Sequence, residues 1–398
     1  GLSRGCFDRT TSTWITAEQV RDIDFREVKN LESASRVIQL LFYYGNKVPS
    51  IQVESVNLVV PHILYYCLDN MTEPQVRALN FKDKTVVTPQ VVQGISTPTK
   101  PLMKFLTTEQ IVDGLTSGTI TAEAAKYVTA EQIAKVDFRK VKNLESANGV
   151  IRHLFFDEKK VPSIQVDSVN LLVPHVLTSN LNHLMESQIP ALDFTNNKIV
   201  DSKVLQGMIA SRSAPKLPQG YLMRFLTTKQ ILNGLNYKTL SNEAAKHITA
   251  EQIAKIDFRE VANLGEASQL IYSLFDNEMN VPGIQLESVA CVIPHIYASH
   301  MNRLTQEQVH VLDFSKKGCI TPKMFEGMLS ASSQVPTLTR GQAVQYMTSN
   351  QLIDAINGSL FNINTIDLIK DSQLPELDLE LINNRPIKED LEKRRKKL

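Results

Sequence analysis

VTAEQIAKVDF, residues 128–138, returns as ITAEQIAKIDF at 248–258 and stands near the start of the chain as ITAEQVRDIDF at 15–25. Thr16, Thr129 and Thr249 are therefore equivalent, at offsets of 113 and 120 residues. The same offsets relate Pro49, Pro162 and Pro282, and also His62, His175 and His295. Across Thr16–His62 and Thr129–His175 roughly two-thirds of the positions are identical, including polar ones such as Asn30 and Asn143. Self-similarity at a fixed period is the signature of a repeat architecture. Agreement at positions that a core would not dictate points to recent duplication.

The phrase also has shorter echoes inside each copy: MTEPQVRALNF (71–81), LMESQIPALDF (184–194) and LTQEQVHVLDF (304–314), then LTTEQI, LTTKQI and MTSNQL beginning at 106, 226 and 347. The glutamines of these phrases stand at 19, 75, 110, 132, 188, 230, 252, 308, 351 and 373. Eight of the ten have Thr three residues earlier, and Met185 and Lys370 are the exceptions. Thr followed by Gln at the third position is a capping box. The hydroxyl accepts from the third helical amide, and the glutamine reaches back to the amide of the cap. Apolar residues follow at helical spacing. Other starts are TPQVVQGI at Thr88, TPKMFEGML at Thr321 and DSKVLQGMI at Asp201. NLESASRVIQLLF (30–42) reads as a longer amphipathic helix, and Pro61 inside 48–64 either kinks a helix or starts another. The valine-rich parts of 48–64 are an alternative place for short strands, although alternation of period two is not sustained.

Helices this short are marginal alone, because nucleation is costly, so they are expected to stack on their neighbours. No Gly/Ser-rich linker separates the copies; EAAKYVTAEQI runs from one into the next. The expected fold is all-α, a solenoid-like superhelical array of three 113–120-residue repeats built from short capped helices. The segments are an N-terminal extension (1–14), repeats at 15–127, 128–247 and 248–368, and a partial fourth repeat or cap with a charged C-terminal helix (369–398).

Chemistry is harder to find. The formal charge of +1 argues against a protein that tracks nucleic-acid phosphates. No run of 18 apolar residues is present, so no membrane span is expected. Cys6, Cys67, Cys291 and Cys319 fall at non-equivalent places and read as reduced thiols, which favours a reducing cytosol. GLSRGC resembles a lipidation site only loosely, since no apolar run precedes Cys6. The LTxxQ phrase is similar to one in small periplasmic stress proteins, a likeness confined to the cap. His62, His175 and His295 are candidate ligands or bases, with Asp24, Asp137 and Asp257 as possible partners. No HxxxH, HExxH or CxxC pattern accompanies them, so packing is the expected role, with no metal and no cofactor. The tail KEDLEKRRKKL (388–398) reads as a charged helix face in preference to a nuclear signal.

The copies differ in length only in the loops at 96–101, 211–220 and 330–342. Such loops often mark a binding edge, and the plainer alternative is tolerated drift in a solvated loop. Arg212, Lys216 and Tyr221 in the second and Arg340 in the third are the candidate partner-binding residues. The expected function is a non-enzymatic scaffold that binds another protein, concretely a secreted effector or host-interaction protein of a bacterium. The alternative is the repeat portion of a larger enzyme or toxin whose catalytic domain lies outside this chain.

Overall fold

The computed structural model describes residues 9–213, 216–316, 319–330 and 340–398. They are mostly helical, in pieces seldom longer than ten residues. Among the described residues the only strand ladder pairs Arg212–Ser213 antiparallel with Lys216–Leu217. By compactness the chain divides between Leu192 and Asp193, a point inside the second copy.

The ten-glutamine beat is carried out as hydrogen bonds. At Thr129 the Gln132 amide donates to Oγ1 at 3.2 Å, and the Thr129 amide donates to Gln132 Oε1 at 2.8 Å. The same reciprocal box closes at Thr107, Thr249 and Thr305. Met185 and Lys370 lack the hydroxyl, yet their amides still donate to Gln188 and Gln373, at 2.6 and 3.1 Å. These two segments, Glu186–Ala191 and Asp371–Glu376, wind as 3-10 turns and not as the α-helices that the phrase predicts. Each holds a proline, Pro190 or Pro375, whose missing N–H removes the donor that an α-turn requires.

The other end of the glutamine does something the sequence does not announce. Gln75 Nε2 donates to Val48 O and Ile51 O, at 2.9 and 2.8 Å. Gln188 reaches Ile164 O at 2.6 Å, and Gln308 reaches Val281 O and Ile284 O at 3.1 and 2.8 Å. Gln132 and Gln252 hold Leu106 O and Leu226 O, each at 2.8 Å. Carbonyls at and just past the end of one short helix, where intrahelical donors run out, are thus bonded by the cap of a later one; Val48 O and Val281 O also accept from the local amides of Ile51 and Ile284. The glutamine is both cap and clasp.

The close of the phrase is equally regular. Asp24, Asp137 and Asp257 cap 3-10 turns beginning at Phe25, Phe138 and Phe258. Those phenylalanines are fully buried. They meet Phe42, Phe155 and Phe275 with ring centroids 6.3, 6.4 and 5.9 Å apart. The valine-rich stretch contains no strand: Val48–Ser50 and Val53–Ser55 are 3-10 turns, Val56–Val59 is a single α-turn, and Pro61 enters a further 3-10 turn, Val60–His62. The long helix appears as Leu31–Leu41, capped by Asn30 through Ser33 N at 3.0 Å.

Candidate protein-binding surface

The histidines occupy half-buried positions and serve packing contacts. His62 Nδ1 meets Ser35 Oγ at 3.1 Å, and His295 Nδ1 meets Ser268 Oγ at 3.0 Å. The second copy has Asn148 in place of that serine, and His175 Nδ1 is buried with no hydrogen-bond partner. Burial lowers the pKa of all three rings, which favours their neutral form. The aspartates do not pair with them. Asp24, Asp137 and Asp257 bind the arginine two residues on, at 2.8, 2.8 and 2.7 Å. The guanidinium of Arg259 holds the Asp257 carboxyl far below the usual carboxylate range. Spacing decides this: the arginine is local, while the histidine lies on a different element. Among the described residues no group of three His, Cys, Asp or Glu side chains is arranged to hold a metal ion.

The basic tail turns inward. Helix Arg385–Arg395 buries Ile387 and Leu391. Arg394 donates to Ile369 O at 2.5 Å and to Asp371 at 3.0 Å, and Arg395 donates to Leu377 O at 3.3 Å. Two arginines of the basic run therefore satisfy backbone carbonyls of the same chain.

The variable loops present the expected long side chains in three settings. Arg212 and Lys216 stand on the two-residue ladder and line one cleft with Leu217 and Pro218. Tyr221 lies on the next turn, half-buried, edge-to-face with Phe225 at 5.4 Å and with the Arg224 guanidinium 5.9 Å above its ring. Arg340 is exposed, and most of its loop, 331–339, lies outside the described residues. The second and third loops rejoin helical structure in the same way. Gly220 and Gly341 adopt φ of +72° and +76°, and their amides donate to Ile209 O and Leu329 O, at 2.8 and 2.9 Å.

A stronger surface feature lies in the first copy. Tyr44, Tyr65 and Tyr66 are 65%, 43% and 47% exposed. Edge-to-face contacts join them to Tyr43: Tyr43–Tyr44 at 5.2 Å, Tyr43–Tyr66 at 6.4 Å and Tyr65–Tyr66 at 5.7 Å. Tyr65 also walls a cleft of about 540 Å³ shared with Tyr127, Pro89 and the first variable loop through Thr97 and Pro98. The cleft depends on a close approach. A Cβ on Gly94, in helix Pro89–Ile95, would lie 2.3 Å from the Tyr65 carbonyl oxygen.

The sequence carries a signal for this patch, and it lies in a difference between copies. Where the first has Tyr43-Tyr44 and Tyr65-Tyr66, the second has Phe156-Asp157 and Thr178-Ser179, and the third has Asp276-Asn277 and Ala298-Ser299. Attention to shared phrases passes over it. The other copies place smaller aromatic groups nearby on their own elements. Phe156 is 63% exposed under the Lys126 ammonium, and Tyr297 meets Tyr272 at a tilt and His300 edge-to-face, at 5.1 and 5.3 Å. Comparison with known family models, curated proteins and solved structures found no match.

Proposed function

We propose that the chain is a non-enzymatic, all-helical repeat scaffold whose copies stack into one superhelical array and whose aromatic edge binds another protein. One observation carries this reading: four tyrosines, three of them substantially exposed, are grouped beside a length-variable loop in one copy, and no tyrosine stands at the equivalent positions of the other two. Tyrosine supplies large, stiff contact area with a polar tip and is enriched among the residues that dominate interface energies. Burying an exposed aromatic group against a partner is favourable, whereas leaving it in water gains nothing. Arg212 and Lys216 beside their own cleft, with Tyr221 and Arg340, are the secondary contacts of the same reading.

The experiment has two arms. Once a partner is isolated with the intact chain, its Kd is measured for the wild type and for a Tyr44→Ser/Tyr66→Ser variant. Loss of tenfold or more in affinity at unchanged Tm supports the patch. Unchanged affinity moves the site, and trimming 211–217 to the length of the first loop then tests the second cleft. Small-angle scattering of the full chain tests the array separately, and a profile that requires independently tumbling globules would rule it out.

A further inference from the structure

Cys291 and Cys319 line one cleft of about 260 Å³, together with Ala290, Leu312 and Asp313. Both are free thiols of intermediate exposure. The equivalent positions hold Leu58 and Val86 in the first copy and Leu171 and Ile199 in the second. Both members of the pair are thus aliphatic in two copies and cysteine in the third. Only four cysteines occur in the 398 residues, and two of them fall on this one pair. Cys67 provides the contrast: it is buried, its Sγ donates to Tyr43 O at 3.3 Å, and burial pushes its thiol up to about 11.

We propose that Cys291 and Cys319 form a reversible dithiol–disulfide site, oxidised by exchange with a low-molecular-weight aliphatic disulfide. One thiolate attacks the small disulfide, forms a protein mixed disulfide and releases one small thiolate. The second cysteine, deprotonated by solvent base, attacks the protein sulfur of that adduct. The Cys291–Cys319 bond forms and the second small thiolate leaves. Two electrons pass from the cysteine pair to the small disulfide, and excess small thiol drives the reverse reaction. The bond would tie the helix Leu286–Val292 to the loop that carries Cys319, closing the cleft between them.

Burial raises the Cys291 thiol, so exchange is slow at neutral pH and is best run near pH 8.5. The full chain with Cys6→Ser is incubated with excess oxidised glutathione and digested without reduction, and the peptides are weighed. The expected result is one linked pair containing Cys291 and Cys319, no adduct on Cys67, and a Tm several degrees above that of the reduced protein. Cys319→Ile should instead carry a stable mixed disulfide on Cys291. The double variant Cys291→Leu/Cys319→Ile restores the aliphatic pair of the second copy, so it should fold and show no Tm response to oxidant. Two separate adducts on Cys291 and Cys319, a link through Cys67, or an equal Tm response in the double variant would overturn the proposal.

Discussion

At the scale of single residues the glutamines divide their work between two ends. The cap half was legible, because Thr at one position and Gln three later specify it locally. The clasp half was not, because its carbonyl partners lie from 24 to 42 residues earlier in the chain. This reverses the usual ranking of the two capping residues. Gln308 is 1% exposed, and its loss leaves Ile284 O without its glutamine donor and the Thr305 amide without its acceptor, while Val281 O keeps the Ile284 amide at 3.1 Å. Gln308→Ala should cost about 2–4 kcal/mol in urea unfolding, since each buried orphan costs about 1–3 kcal/mol. Thr305→Ala should cost about 1 kcal/mol. Equal or inverted losses would reduce the glutamine to a cap. The orphaned His175 Nδ1 offers a gain: Asn148→Ser supplies the hydroxyl present at Ser35 and Ser268, and should stabilise by about 1 kcal/mol in the same assay.

At the scale of elements, identical words take different shapes. NLESA occurs at 30–34 and at 143–147. In the first, Asn30 caps helix Leu31–Leu41. In the second, Asn143 sits at φ +68° and the helix begins only at Asn148. The residues next in the chain decide the outcome. Ser35-Arg36 continues a helix readily, whereas Asn148-Gly149 lowers the propensity of the same turn. Element positions were therefore readable, but α against 3-10 winding was not wherever a proline or glycine lay a few residues downstream. The close approach of neighbouring elements was also hidden. A Cβ on Gly327 would lie 1.7 Å from Ala298 O, so helix Pro322–Leu329 would have to move. Gly327→Ala should destabilise by about 1–3 kcal/mol through overpacking. Gly149→Ala, with nothing within 4 Å of its Cβ, should stabilise by up to about 1 kcal/mol. Matching losses at the two sites in thermal melts would contradict the packing described.

At the scale of the whole molecule, the histidines set a pH response. Burial lowers the folded pKa of His62, His175 and His295 below the unfolded value of about 6.5. Between those two values the unfolded chain binds more protons than the folded one, so stability rises with pH across the window and falls on acidification. The loss is complete once the pH lies below the folded pKa. The arginines Arg26, Arg139 and Arg259 hold their paired aspartates below the ordinary carboxylate value, so that contribution is lost only on acidification past it. Tm should therefore drop between pH 7 and pH 5, and a triple His→Gln variant should show a flatter profile there. An unchanged slope would assign the acid response to other groups. The repeat period could be read at this scale from the sequence; the burial of Phe25, Phe138 and Phe258 could not, because the phrase marks them only as its close. The tyrosine patch is marked in the sequence, but only where the copies disagree, so attention to their shared phrases passes over it.

The clasps also ignore distance along the chain. Gln110 reaches Leu79 O across 31 residues, and Gln351 reaches Leu312 O across 39, with the same 2.8 Å bond at each end. The intervals differ because each spans a variable loop, so the fastening is keyed to which elements meet and not to how much chain lies between them. A chain fastened this way can carry foreign cargo. A ten-residue Gly-Ser insert between Thr99 and Lys100 should lower stability by only about 1 kcal/mol, the modest entropy of a longer loop. Peptides grafted at that point would be displayed beside the tyrosine cleft on a chassis that does not register their length.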